Sequence, residues 1–171
     1  MELEKDRSKL RHKIFLEMAE SISKLSRDGS TKVGCVLVDS SKRIISVGYN
    51  GSVSGMYDSL IDYSGKSFVA YSKNVSEEYG QGSFETHKNN FMIHAELNAL
   101  LSCDDRRRLK DASAYITHFP CNNCLLALAQ SGVKELFIYG QYAKNYQNYY
   151  KESLAIIEFS GMTLEVILKD N

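Results

Sequence analysis

Two short segments concentrate the residues able to do chemistry: His94-Ala95-Glu96 and Pro120-Cys121-Asn122-Asn123-Cys124. Cys121 and Cys124 stand three apart, so on a helix they share a face and can hold one ion between them. In a first helical turn the partial positive charge lowers thiol pKa and favours the thiolate that metals bind. His94 supplies a third ligand. Three protein ligands leave a tetrahedral zinc one position short, the vacancy that catalytic sites keep for water, and zinc brings the pKa of such a water toward about 7. Glu96 is then the natural proton carrier beside it. Residues two apart on a regular helix point in different directions, so Glu96 can approach a metal held by His94 only if the ion hangs off the helix mouth. A lone CxxC also serves as a redox pair or a structural half-site, and Cys103 or His118 could close a four-ligand structural zinc.

These residues need elements to hold them. Ile14, Phe15, Met18, Ala19, Ile22 and Leu25 recur at helical spacing, predicting an amphipathic helix that ends at Asp28-Gly29. Two β-rich runs, Val33 to Val38 and Arg43 to Val47, read as an antiparallel hairpin that empties into a turn at Gly48-Tyr49-Asn50-Gly51. Residues from about 51 to 90 lack periodicity and read as a long loop, the kind that is functional or mobile. Beyond it the pattern alternates: helix from about His94 to Cys103, strand Ala114 to Thr117, helix from about Cys121 to Gln130, strand Glu135 to Tyr139, helix from about Tyr146 to Phe159, strand Thr163 to Leu168. Gly132 and Gly161 fall where helix C-terminal glycines belong. Such alternation predicts an α/β sheet with parallel neighbours and helices on its faces, and 1–171 reads as one domain without internal repeats.

Composition narrows the partners. The chain has 171 residues, with 21 Lys and Arg against 21 Asp and Glu, so no global field draws it to a polynucleotide or an anionic membrane. No apolar stretch approaches the roughly 18 residues that span a bilayer, and MELEKDRSKLRHK carries charges where a signal peptide carries an apolar segment, so a cytoplasmic location is expected. Four cysteines are too few and too unevenly spaced for a disulfide framework. Cys35 and Cys103 read as core, His12 and His87 as solvated, and Arg106-Arg107-Arg108 beside Asp104-Asp105 as a solvated face. Tyr146, Tyr150, Leu154 and Ile157 keep helical spacing and suit a core or a subunit interface.

The spacing H-x-E…P-C-x-x-C is the signature of zinc nucleobase deaminases. Over nearly its whole length the chain resembles the deoxycytidylate (dCMP) deaminases of the cytidine deaminase superfamily. The resemblance rests on Val33-Gly34-Cys35-Val36 leading to Gly48-Tyr49-Asn50-Gly51, on His94-Ala95-Glu96-Leu97-Asn98-Ala99-Leu100, and on Phe119-Pro120-Cys121-Asn122-Asn123-Cys124. It implies a three-layer fold, a mixed five-stranded sheet with helices on both faces. It implies zinc on His94, Cys121 and Cys124, with Glu96 as catalytic acid/base. Asn50 would bond the nucleotide sugar and the Ala95 backbone the base carbonyl, with Arg27, Ser30, Lys32, Phe119 and Tyr142 as further substrate contacts. The implied reaction is hydrolysis of dCMP to dUMP and ammonia, feeding thymidylate synthesis.

The resemblance also implies a homo-oligomer, often a hexamer, activated by dCTP with Mg2+ and inhibited by dTTP through a site involving a GYNGxPxG turn; the allosteric residues it implies here are Tyr49, Gly51 and Gly55 of that turn, and Asp58 just after it. The chain departs at Val53, where the family usually has proline. No cysteine lies between Cys35 and Cys103, so one zinc per chain is expected rather than two. The alternatives within enzymes are deaminases of dCTP, of 5-substituted dCMP, or of free cytidine or deoxycytidine. Outside enzymes the alternative is a zinc-bearing nucleotide-binding regulator, which would have no use for Glu96.

Overall fold

Three apolar runs, GCVLV, ASAYI and VKELFIY, become strands because their β-branched and aromatic side chains fill a pleated surface buried on both faces. The computed structural model describes residues 2–55, 67–71, 83–140 and 150–169. In chain order these form α1 (Glu2–Ser23), β1 (Gly34–Val38), β2 (Ile44–Tyr49), β3 (Gly51–Ser52), β4 (Ser67–Tyr71), β5 (Ser83–His87), β6 (Met92–Ile93), α2 (Ala95–Leu101), β7 (Ala112–Ile116), α3 (Asn122–Ser131), β8 (Val133–Tyr139), α4 (Tyr150–Phe159) and β9 (Thr163–Ile167). The main sheet runs β2-β1-β7-β8-β9. β1 is antiparallel to both β2 and β7, while β7, β8 and β9 are parallel, so the sheet is mixed and five-stranded as expected.

Side-chain alternation splits the core in two. Cys35, Leu37, Ala114, Ile116, Leu136 and Ile138 face α2, α3 and α4. Val36, Val38, Tyr115, Phe137 and Tyr139 face α1. Cys35 and Cys103 are core residues, as the sequence suggested. Gly132 ends α3 with φ of 99° and Gly161 follows α4 with φ of 66°, both as expected of left-handed caps.

Several expectations are corrected. Helix α1 stops at Ser23, and its buried residues are Phe15, Leu16, Ala19 and Ser23, while Ile14 and Leu25 are exposed. The stripe is displaced because polar residues occupy it: Ser23 Oγ donates to the Glu20 carbonyl, and His12 stacks on Phe137 with ring centroids 4.1 Å apart. His12 is therefore packed against the sheet, not solvated. Gly48 and Tyr49 are strand, not turn: β2 continues to Tyr49. The stretch from about 51 to 90, expected as loop, contains the antiparallel pair β4 and β5, and its start, β3, pairs with β6 just beyond its end. Leu154 is partly exposed while Ile157 is core; Tyr146, like Tyr142 and Asp58, lies outside the described residues. Of the arginine run, Arg107 pairs with Asp105 at the surface, and Arg108 reaches across to Asp39 at 2.6 Å. Among the described residues no helix is long and apolar enough to cross a membrane.

Candidate zinc and nucleotide site

The same local feature places both halves of the metal cluster. His94 is the N-cap of α2 and Cys121 the N-cap of α3, both with extended backbone, and neither side chain caps its own helix. Serine or aspartate at these positions would bond the helix amides; the imidazole and thiol instead turn toward each other. His94 Nδ1 lies 3.5 Å from Cys121 Sγ and 3.5 Å from Cys124 Sγ, and the three ligand atoms lie within 4.8 Å of one another. Zinc bonds of about 2.3 Å to sulfur and about 2.0 Å to nitrogen, at a tetrahedral angle of about 109°, separate N and S by about 3.5 Å. The residues present therefore fit zinc. Among the described residues this group does not include Cys103 or His118, so the four-ligand structural alternative is not what the geometry builds.

Electrostatics favours the metal-binding thiolate at one of the three donors, Cys121. A hydrogen bond from the Cys124 thiol, aided by His94, pulls Cys121 down to about 4, and the same bond pushes Cys124 up. The bond to Cys121 raises His94. Glu96, in the first turn of α2, is buried, and that burial pushes its carboxyl above the usual range. Because His94 sits at the helix mouth rather than inside α2, the condition that lets Glu96 approach the same ion is met.

Glycine sets the position of α2. A Cβ on Gly48 would lie 2.3 Å from the Ala95 carbonyl oxygen and 2.4 Å from the Ala99 nitrogen, so the helix backbone rests directly on β2. Ser46 Oγ donates to the Ala99 carbonyl and Asn98 Nδ2 to the Tyr49 carbonyl, locking the helix along that strand. Gly34 plays the same part under α1, where a Cβ would meet the Ala19 carbonyl oxygen.

A cleft of about 440 Å³ opens over the cluster, a volume suited to a small polar ligand. Its lining includes His94, Ala95, Glu96, Cys121, Phe119, Asn50 and Ser30 from the residues singled out in the sequence. Arg27 and Lys32, by contrast, are exposed and do not line it. Asn50 is engaged internally: its Oδ1 accepts from Val33 N–H at 2.8 Å and its Nδ2 donates to the Thr31 carbonyl at 2.9 Å. Of the residues assigned to regulation, Tyr49 ends β2, Gly51 opens β3, and Gly55 sits at φ of 84° in open space.

Sequence reasoning missed part of the wall. Asp28, Thr31, His87, Lys88 and Asn89 line the cleft, and so does His118. His87 is half-buried on that wall, its Nδ1 accepting from Asn89 N–H. Burial lowers the His118 pKa, and its Nδ1 lies 3.1 Å from Thr117 Oγ1. No spacing signal marks these positions; Asp28 beside Gly29 reads as a helix stop, and Lys88 falls in an aperiodic stretch.

Comparison with known proteins is consistent with this geometry. The family profile described as the cytidine and deoxycytidylate deaminase zinc-binding region matches residues 9–140. The chain is 35% identical over 129 residues to a probable deoxycytidylate deaminase of Caenorhabditis elegans, covering 74% of this chain and 56% of that protein. It is 32% identical over 152 residues to the deoxycytidylate deaminase of Enterobacteria phage T4, covering 76% of this chain and 78% of the phage protein. The chain thus spans 56% of the nematode relative and 60% of the mouse and human ones. In fold it is similar to the dCMP deaminase of cyanophage S-TIM5, with a TM-score of 0.62 at 22% identity over 91% of this chain and 96% of that one. That phage protein has also been solved in complex with dCMP and dUMP.

Proposed function

The chain belongs to the cytidine and deoxycytidylate deaminase zinc-binding family, and from that premise we propose that it hydrolyses dCMP to dUMP and ammonia. The observation that carries the reading is the triangle of His94, Cys121 and Cys124 at two helix mouths, with buried Glu96 beside it in one cleft. Zinc, one per chain, would be held by those three residues and when bound supplies Lewis-acid polarisation and a lowered pKa for water. Glu96 carries the protons. Water adds at C4 of the cytosine ring, the C4–N4 bond breaks, and of the two water protons one ends on ring N3 and the other on the departing ammonia. Burial raises the pKa of this carboxyl above the usual carboxylate range, the direction that suits a group which must both take up and return a proton. Ala95, Phe119, Asn50 and Ser30 all line this one cleft, which supports the reading that the base packs by Ala95 and Phe119 and the sugar and phosphate extend toward Asn50 and Ser30.

The reading extends to dUMP supply for thymidylate synthesis in the cytoplasm, to a homo-oligomer, hexameric by resemblance, and to dCTP with Mg2+ and dTTP acting around Tyr49, Gly51, Gly55 and Asp58. Arg27, Lys32 and Tyr142 remain proposed nucleotide contacts. A related substrate, dCTP, 5-substituted dCMP or the free nucleoside, is the second reading.

Ultraviolet assay of the purified protein against cytosine compounds at each phosphorylation level tests this. The expected result is zinc-dependent turnover with kcat/KM highest for dCMP; equal values for deoxycytidine and dCMP would transfer the assignment to a nucleoside deaminase. The expected dCMP saturation curves shift with dCTP and dTTP, and superimposable curves would remove the regulatory part. Light scattering is expected to give a multiple of the chain mass.

A further inference from the structure

Lys88 is an unusual occupant of the cleft wall. Its side chain is only 4% exposed and its partner Asp28 only 7%, with Nζ donating to Asp28 Oδ1 at 2.6 Å and to Ser30 Oγ at 2.8 Å. Burying a lysine and an aspartate is costly unless geometry and further hydrogen bonds compensate. Here they do: the same Oδ1 accepts from the backbone N–H of Ser30 at 2.7 Å and of Thr31 at 3.0 Å. The Thr31 carbonyl in turn accepts from Asn50 Nδ2, and Asn50 Oδ1 accepts from Val33 N–H. A continuous hydrogen-bonded chain therefore runs Lys88, Asp28, Thr31, Asn50. It begins in the 3-10 turn Lys88–Phe91, which leads through Met92–Ile93 into His94, and it ends on the residue that follows β2. From the other side, β3 pairs with β6 through Gly51 opposite Ile93. Asn50 is thus clamped between two connections to the segment that delivers the first metal ligand.

Resting on the deaminase reading, we propose that Lys88 is a positioning residue of the nucleotide pocket, which through Asp28 and Thr31 fixes the amide of Asn50 and the spacing of the two cleft walls. Lys88 needs no contact with the substrate for this role. The consequence belongs to ligand binding: without the strut the 28–31 turn is free to move away from the 87–91 turn, and the cleft must be reassembled by each ligand it takes.

The test compares wild type, Lys88→Met, and the double variant Lys88→Met/Asp28→Asn, each checked for zinc content and thermal midpoint. Lys88→Met leaves Asp28 buried without its cation, so its midpoint drops. In the double variant the asparagine still accepts from Ser30 and Thr31 without a charge, so the midpoint recovers while the strut stays cut. The expected result is a KM for dCMP, and a dissociation constant for dUMP by calorimetry, about tenfold or more above wild type in both variants, with kcat changed less and zinc retained. Deoxycytidine should show a KM increase of similar size, because the wall serves both ligands. KM returning to the wild-type value together with the midpoint in the double variant would reduce Lys88 to a structural charge pair and overturn the proposal. An increase confined to dCMP would make Lys88 a phosphate contact and overturn it as well, and so would a folded, zinc-bearing Lys88→Met with unchanged KM. A wild-type protein that neither deaminates a cytosine nucleotide nor binds dUMP is the separate failure of the functional reading, and it would take this inference with it.

Discussion

Replacing Glu96 by glutamine preserves the shape of a buried side chain and removes its ability to carry a proton. The expected outcome is loss of turnover by about a hundredfold to ten-thousandfold, with zinc content and dUMP affinity retained. Metal analysis and calorimetry alongside steady-state rates check it; substantial residual turnover would mean that another group carries the proton. That His94, Cys121 and Cys124 would come together with Glu96 close by was legible in the sequence because the grouping rests on local spacing and residue type, and local spacing survives folding. Lys88 and Asp28 were not legible. They are 60 positions apart in the chain, and nothing in either neighbourhood says that an exposed-type lysine will be buried against that carboxylate. Arg27 and Lys32 illustrate the converse: they lie within a few residues of Asp28, yet neither lines the cleft.

The elements that matter most are α2 and α3, whose N-caps face one another. A zinc held by His94, Cys121 and Cys124 would tie these two helix starts together and so contribute to folding as well as to chemistry. Chelation is expected to lower the thermal midpoint and abolish activity in parallel, and readdition of zinc to restore both; activity lost without a change in midpoint would uncouple them. The second element-scale prediction concerns the seat of α2. In Gly48→Ala a methyl group would collide with the backbone at Ala95 and Ala99, two contacts that no rotamer change can relieve. Overpacking of this kind costs about 1–3 kcal/mol, and because α2 carries His94 and Glu96, urea unfolding and kcat are both expected to worsen. A variant with wild-type stability and rate would show that α2 can shift without harm. The sequence presented Gly48 as turn punctuation, whereas its function is close approach of a helix to a strand, a property of packing that only two elements together possess.

At the scale of the whole molecule, α1 is joined to the sheet through His12, which stacks on Phe137 and whose Nδ1 lies 2.9 Å from Tyr115 Oη. Burial lowers its pKa below 6.5; Glu165 and Glu135 oppose that shift, while Lys42 and Arg11 reinforce it. The unfolded chain takes up a proton near pH 6.5 and the folded chain resists it, so this contribution to stability is intact above about pH 6.5 and declines as pH falls below it. Urea unfolding at pH 7.5 and 5.5 should show a larger loss for wild type than for His12→Phe; equal losses would assign the pH dependence elsewhere. His12 also marks where sequence reading stops. By itself the sequence determined the α/β class, the parallel half of the sheet, the caps at Gly132 and Gly161, and the grouping of His94, Cys121 and Cys124 with Glu96 close by, since all of these follow from periodicity and spacing within a few turns of chain. Tertiary structure alone decided which face of α1 is buried, that Gly48 is a helix seat, that the stretch from 51 to 90 contains paired strands, and that Lys88 and Asp28 meet in the cleft. Those outcomes depend on which distant groups satisfy one another's hydrogen bonds and fill one another's space, and that complementarity is a property of the folded pair rather than of either segment.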